Sequence, residues 1–149
     1  AAIETGARKL PREVTPQVVR RLDSILLAYE AAEEVSAGIT PPILDGPKAD
    51  LHRMTTAGFI VSELREALAR VEGNQVLLRA RHGDELSPAE RQQVEELLLD
   101  LVEAETALAN GLLVFCETYQ VSPMALYQRH RQELAMKGYI THEKARRSA

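Results

Sequence analysis

A chain of 149 residues with 45% hydrophobic and 27% charged side chains fits one globular domain large enough to bury a core. Its net charge of -4 argues against broad binding to nucleic acid or membrane surfaces, and 4% aromatic content without Trp argues against a platform for stacking unpaired bases. No apolar run approaches the ~20 residues of a bilayer span, no signal-peptide pattern opens the chain, and the single Cys116 has no partner for a disulfide, so the expected compartment is the cytoplasm.

Residues 1–14 have little periodicity and read as an arm able to dock on a protein partner. Thr15-Pro16 then predicts a helix start. Val18, Leu22, Ile25, Leu26, Tyr29 and Ala32 follow at helical spacing, and the helix is expected to end near Gly38. The segment 40–47, with three prolines and Gly46, reads as an extended connection. A second helix is predicted from 48–50 onward. Gly73-Asn74 offers one end for it, and Ala80 a later one. His82 to Leu86 reads as a turn. Ser87-Pro-Ala-Glu90 is a capping-box pattern, predicting a third helix from Pro88 to about Tyr119. Ser122-Pro123 predicts a fourth, running to about Lys137 and stopped by Gly138. The bundle is expected to span 15–140, with 141–149 as a basic tail. With no strand alternation, the predicted fold is all-α: an antiparallel bundle of about four main helices with a long central hairpin.

Carboxylates interrupt the apolar patterns. Glu63 and Glu66, spaced i, i+3, share one side of the second helix. In the third helix Val94, Leu97, Leu98, Leu101, Leu108, Leu112 and Phe115 form a stripe. Glu105 falls near its centre, while Glu96, Asp100 and Glu103 lie on a flank. A carboxylate at a core position is costly unless paired or metal-bound; a salt bridge to a neighbouring arginine such as Arg70, or an exposed position where the stripe curves, is the simple alternative. If the hairpin turns at Gly83 to Glu85, residues whose numbers sum to about 169 lie level. Glu66 then faces Glu103, Glu63 faces Thr106, and Glu105 is within about one turn of both. Oxygens on facing helices suit a hard cation. The four histidines lack ligand spacing, and no Gly-rich phosphate loop is present.

The segment Phe59-Ile-Val-Ser-Glu-Leu-Arg-Glu-Ala-Leu68 resembles the first metal-binding helix of the all-α nucleoside triphosphate pyrophosphatases, the superfamily of MazG-type enzymes and dimeric dUTPases. Glu63 and Glu66 match that family's E-x-x-E core. The run from Glu103, with Tyr119-Gln-Val-Ser-Pro123 and Leu126-Tyr-Gln-Arg-His130, resembles the second metal helix and the closing helix. The family's E-x-x-D is replaced by Glu103-Ala-Glu-Thr106, and Asp100-Leu-Val-Glu103 has the acids reversed. The resemblance implies Mg²⁺ (or Mn²⁺) on Glu63, Glu66 and Glu105, Glu103 orienting a water, and Arg129 and Lys137 holding phosphate oxygens of a nucleoside triphosphate. The rival reading is a non-enzymatic helical interaction or assembly protein of the kind phages and plasmids encode. A helix-turn-helix over Ser122 to Lys137 is weaker, because basic residues are few there. Either main reading predicts a homo-oligomer, because apolar residues such as Leu99 and Leu113 lie outside the main stripe.

Overall fold

The computed structural model describes Pro11 and residues 13–80 and 82–146. Most of the expected N-terminal arm and the end of the basic tail lie outside the described residues. The fold is all-α, with no strand among the described residues. Its helices are α1 (Thr15–Leu22), α2 (Ile25–Ser36), α3 (Arg53–Gly73), α4 (Gln75–Ala80), α5 (Pro88–Tyr119), α6 (Pro123–Met136) and α7 (His142–Arg146). None is long and apolar enough to cross a membrane.

The expected first helix is two helices. Asp23 adopts a left-handed conformation (φ 47°), which ends α1, and the Ser24 hydroxyl accepts from Leu27 N at 3.2 Å to begin α2. A contact from far along the chain also meets the break. Asp23 Oδ1 accepts from Met124 N at 2.9 Å, so it caps α6 rather than continuing α1. α1 starts at Thr15 as expected, with Val14 in the N-cap position, and the Thr15 hydroxyl donates to Pro11 O. At its far end α2 unwinds through Ala37 and Gly38, both at positive φ, as expected.

α3 starts a few residues later than expected. Asp50 accepts from His52 N at 2.9 Å and from the Thr55 hydroxyl at 2.8 Å, and those bonds hold its carboxyl below the ordinary range. The helix stops at Gly73, and α4 resumes one residue later. Backbone bonds from Asn74 N to Arg70 O and from Leu78 N to Asn74 O carry the chain across the interruption. A 3-10 turn at Gly83–Glu85 reverses direction. Ser87 and Glu90 then form the capping box, and α5 runs to Tyr119 as the sequence predicts. The expected basic tail is helical over α7, which packs on α6.

The dominant tertiary contact is the antiparallel pair α3/α5. Its seam is built from small residues. Ala104, Ala107 and Gly111 are buried on α5 with Leu97; Thr56 and Ala67 are buried on α3. At Gly111 an added Cβ would overlap Ile60 Cδ1, so the glycine permits close approach of the two helices. Nearby, Asn110 is only 1% exposed and fully bonded. Its Oδ1 accepts from Leu44 N at 2.9 Å, and its Nδ2 donates to Pro42 O and Thr106 O, each at 2.9 Å. The proline-rich connection is thereby fastened onto α5. The predicted stripe of α5 is only partly in this core: Leu97 is buried and Val94, Leu112 and Phe115 are half-buried, but Leu98, Leu101 and Leu108 are exposed.

Candidate functional site

The register of the hairpin decides which acids meet. Arg70 Nε donates to Asp100 Oδ2 at 2.8 Å, and Ile60 packs at Gly111. The numbers in each pair sum close to the expected 169, so the two helices face each other as the sequence predicts. The break at Gly73-Asn74 therefore leaves the register unchanged.

On this register Glu63 and Glu66 of α3 confront Asp100 and Glu103 of α5. Burial, then the charges of Glu66, Glu103 and Asp100, push the Glu63 carboxyl above its ordinary value. Three neighbours of the same sign account for the electrostatic part of that shift. Arg70 is the cation beside Asp100 and Glu66. Besides Asp100 it reaches Glu96, with Nη1 to Oε2 at 3.5 Å, and the bond to Asp100 raises the guanidinium further above its already high range. Beside it lies an open hollow of about 490 Å³ lined by Glu66, Ala69, Arg70, Gly73, Asn74 and Asp100.

Glu105 does not join this group. At about 100° per residue it lies about 200° from Glu103 around α5. It is exposed, and its charge is felt instead by Tyr29 of α2. Of the expected set, the structure brings Glu63 and Glu66 together with Asp100 and Glu103, and places Glu105 apart from them. Glu105 does sit centrally on its stripe, but α3 packs against the stripe's small-residue flank and leaves that centre outside. The alternative partner is corrected too, because Arg70 bridges Asp100 and Glu96 and not Glu105. Asp100 and Arg70 were findable from sequence: they stand level in the same register arithmetic that pairs Glu66 with Glu103.

The other expected residues lie elsewhere. Arg129 donates to Glu133 at 3.0 Å within α6, and Lys137 stands at that helix's C-terminal end. Cys116 is buried, and burial raises its thiol pKa, as suits an inert side chain. The hydroxyls of Tyr29 and Tyr127 meet at 3.2 Å between α2 and α6; burial and this contact push the Tyr29 phenol well above its ordinary value.

The donor set suits a hard divalent cation in chemistry, since every candidate ligand is a carboxylate oxygen. It does not suit one in position. Among the described residues no three Asp, Glu, His or Cys side chains are placed to hold a single metal ion, and Asp100 is already taken by Arg70. Comparison of the chain with protein-family models, curated proteins and solved structures finds no match.

Proposed function

We propose that the carboxylate face of the α3/α5 hairpin serves a cation-dependent nucleoside triphosphate pyrophosphohydrolase, and that the reaction adds water across a phosphoanhydride to release a nucleoside monophosphate and pyrophosphate. The observation that supports this reading is the convergence of Glu63, Glu66, Asp100 and Glu103 from two helices, close enough to raise the Glu63 carboxyl. Such crowding of like charge destabilises the hairpin and is relieved by a counter-charge. Because no three described side chains are placed on one ion, a Mg²⁺ or Mn²⁺ would have to be held in part by the triphosphate itself, whose charge it would neutralise. Glu103, exposed beside the cluster, is the carboxylate able to accept a hydrogen bond from a water and orient it. Arg70, reaching the same hollow, is better placed than Arg129 to meet a phosphate oxygen.

A second reading, a helical assembly protein without catalysis, is favoured by one specific observation. Arg70 already satisfies Asp100 and part of the charge of Glu96, which makes a structural ion-pair network sufficient for this face. One experiment separates the two. Purified protein is titrated with Mg²⁺ or Mn²⁺ while its melting temperature is followed, and is then incubated with a panel of nucleoside triphosphates. The enzyme reading expects a rise in melting temperature, abolished by Glu63→Gln or Glu66→Gln, together with pyrophosphate release. No thermal shift and intact triphosphates would leave the assembly reading in its place.

A further inference from the structure

We propose that the cleft between α6 and α7 is a docking groove for an acidic peptide carrying an apolar anchor. The sequence builds this cleft locally. Gly138, at φ 77°, turns the chain out of α6, and its N–H donates to Ala135 O at 3.1 Å. Thr141 Oγ1 then accepts from Lys144 N at 3.1 Å and starts α7, which folds back on α6. Gln132, Ala135 and Met136 stand at i, i+3 and i+4, so they share one face of α6. His142, Ala145 and Arg146 repeat that spacing on the facing side of α7. The two faces line a hollow of about 540 Å³, a volume within the range of ligand sites.

Floor and rim select the occupant. Ala135, Met136 and Ala145 supply apolar surface, and Met136 is 74% exposed. A methionine adapts to apolar side chains of differing shape. The Gln132 amide can bond a peptide backbone. Arg146 Nε donates to His142 O at 3.4 Å, and a guanidinium has further donors able to fork onto a carboxylate. Among the described residues no carboxylate lines the groove. The surrounding charge has the same sign. Residues 123–146 hold Arg129, Arg131, Lys137, Lys144 and Arg146 against Glu133 and Glu143, in a chain whose net charge is -4. Glu133 is tied to Arg129 at 3.0 Å. A basic region on an acidic protein concentrates its attraction for anions there. Nucleic acid fits less well. No Tyr, Phe or Trp lines the groove for bases to stack on, and the acidic remainder of the chain repels a phosphate backbone. Carboxylates spaced around an apolar side chain match both the rim and the floor. The inference is independent of any catalysis.

The test is fluorescence anisotropy of the full chain with a fluorescein-labelled peptide of two leucines flanked on each side by three glutamates. The expected result is saturable binding in the micromolar range. Arg146→Glu should weaken it about tenfold, and Met136→Ser about fivefold. The helical circular dichroism should persist in both, because both side chains are exposed. Arg79→Glu, exposed on α4 and outside the groove, makes the same change in net charge. It should leave the affinity within about twofold, since salt screens distant charges. A peptide with serines in place of the leucines should bind about tenfold more weakly. No binding to the full chain overturns the proposal, whether the groove is open or covered by the chain's own termini. Binding that Arg79→Glu lowers as much as Arg146→Glu, or that does not need the leucines, is diffuse charge attraction and overturns it too. A labelled oligothymidylate that binds more tightly than the peptide would assign the groove to nucleic acid instead. Self-association in sedimentation that Arg146→Glu abolishes would assign it to a second copy, and either result overturns the proposal.

Discussion

Arg70 Nε lies 2.8 Å from Asp100 Oδ2 and is the cross-link between α3 and α5 on their acidic face. The pair is lopsided in exposure: the arginine side chain is 42% accessible and the aspartate 15%. Solvent therefore screens the cation more than its partner, and the bridge behaves as a surface pair of small worth. It also supplies positive charge beside Glu66 and Glu96.

Replacing that cation should expose the charges it offsets. Arg70→Gln is expected to lower stability slightly at low ionic strength, and salt should shrink the difference between variant and wild type. Urea titrations at two salt concentrations measure both effects. An Arg70→Gln variant as stable as wild type at low salt would mean that the acids are too well solvated to interact.

Glu63 gives a pH dependence with a definite sign. Burial and three acidic neighbours raise its folded value above that of the unfolded chain. Between those values the folded state holds the proton more tightly. Its contribution to stability is complete in acid, below the ordinary carboxylate value, and is lost as pH rises through the raised folded value. Glu63→Gln should match wild type in acid and exceed it near neutrality by about 0.2–0.5 kcal/mol, the scale of a like-charge pair on a helix. Denaturant titrations across pH 3 to 8 check this, and a variant less stable than wild type at neutral pH contradicts it.

How much of this was legible in the sequence depends on how local each signal is. The capping box at Ser87 and the left-handed stop at Gly138 are short-range devices, and both appear where their residues stand. The hairpin register was legible because a short turn between two long helices leaves few alternatives. The break at Asp23 was missed: Ser24 offers a local cap for α2, but the hydrogen bond from Met124 to Asp23 lies across the fold. Asn110 was missed for the same reason: its partners lie in the proline-rich connection. A lone amide inside a run of small and apolar residues was the available clue. Periodicity placed Glu105 on its stripe correctly but carried no information on what would cover the stripe.

Asn110 should therefore be costly to remove. Asn110→Ala leaves the Leu44 N–H and the Pro42 carbonyl without their side-chain partner, at a cost of about 1–3 kcal/mol. Two signals should accompany the loss. The Leu44 amide should exchange faster with solvent, and limited proteolysis should find the 40–47 connection. Unchanged exchange at Leu44 would show that the connection is held by other contacts.

Thr56 presents the opposite case. It is 3% exposed, and among the described residues its hydroxyl is buried without a hydrogen-bond partner. Thr56→Val keeps the branched shape and removes the unsatisfied group, so stability should rise by about 1 kcal/mol. A chemical denaturation midpoint that falls would reveal a partner for that hydroxyl.

Gly111 and Ile60 should be coupled. In an α-helix, alanine is favoured over glycine by about 1 kcal/mol. At this position, however, the new Cβ would overlap Ile60 Cδ1 and stand 3.3 Å from its Cγ1. Overpacking of that kind costs about 1–3 kcal/mol, so Gly111→Ala alone should lose about 1 kcal/mol net. Ile60→Val removes the clashing methyl and, at a half-buried site, should lose about 0.5 kcal/mol by itself. Together the two should be no worse than Ile60→Val, because the space vacated by Cδ1 receives the alanine methyl and the helix propensity gain survives. A double-mutant cycle from urea unfolding gives the coupling directly. Strict additivity would mean that α3 and α5 adjust their separation without strain, and that the small-residue seam does not set their distance.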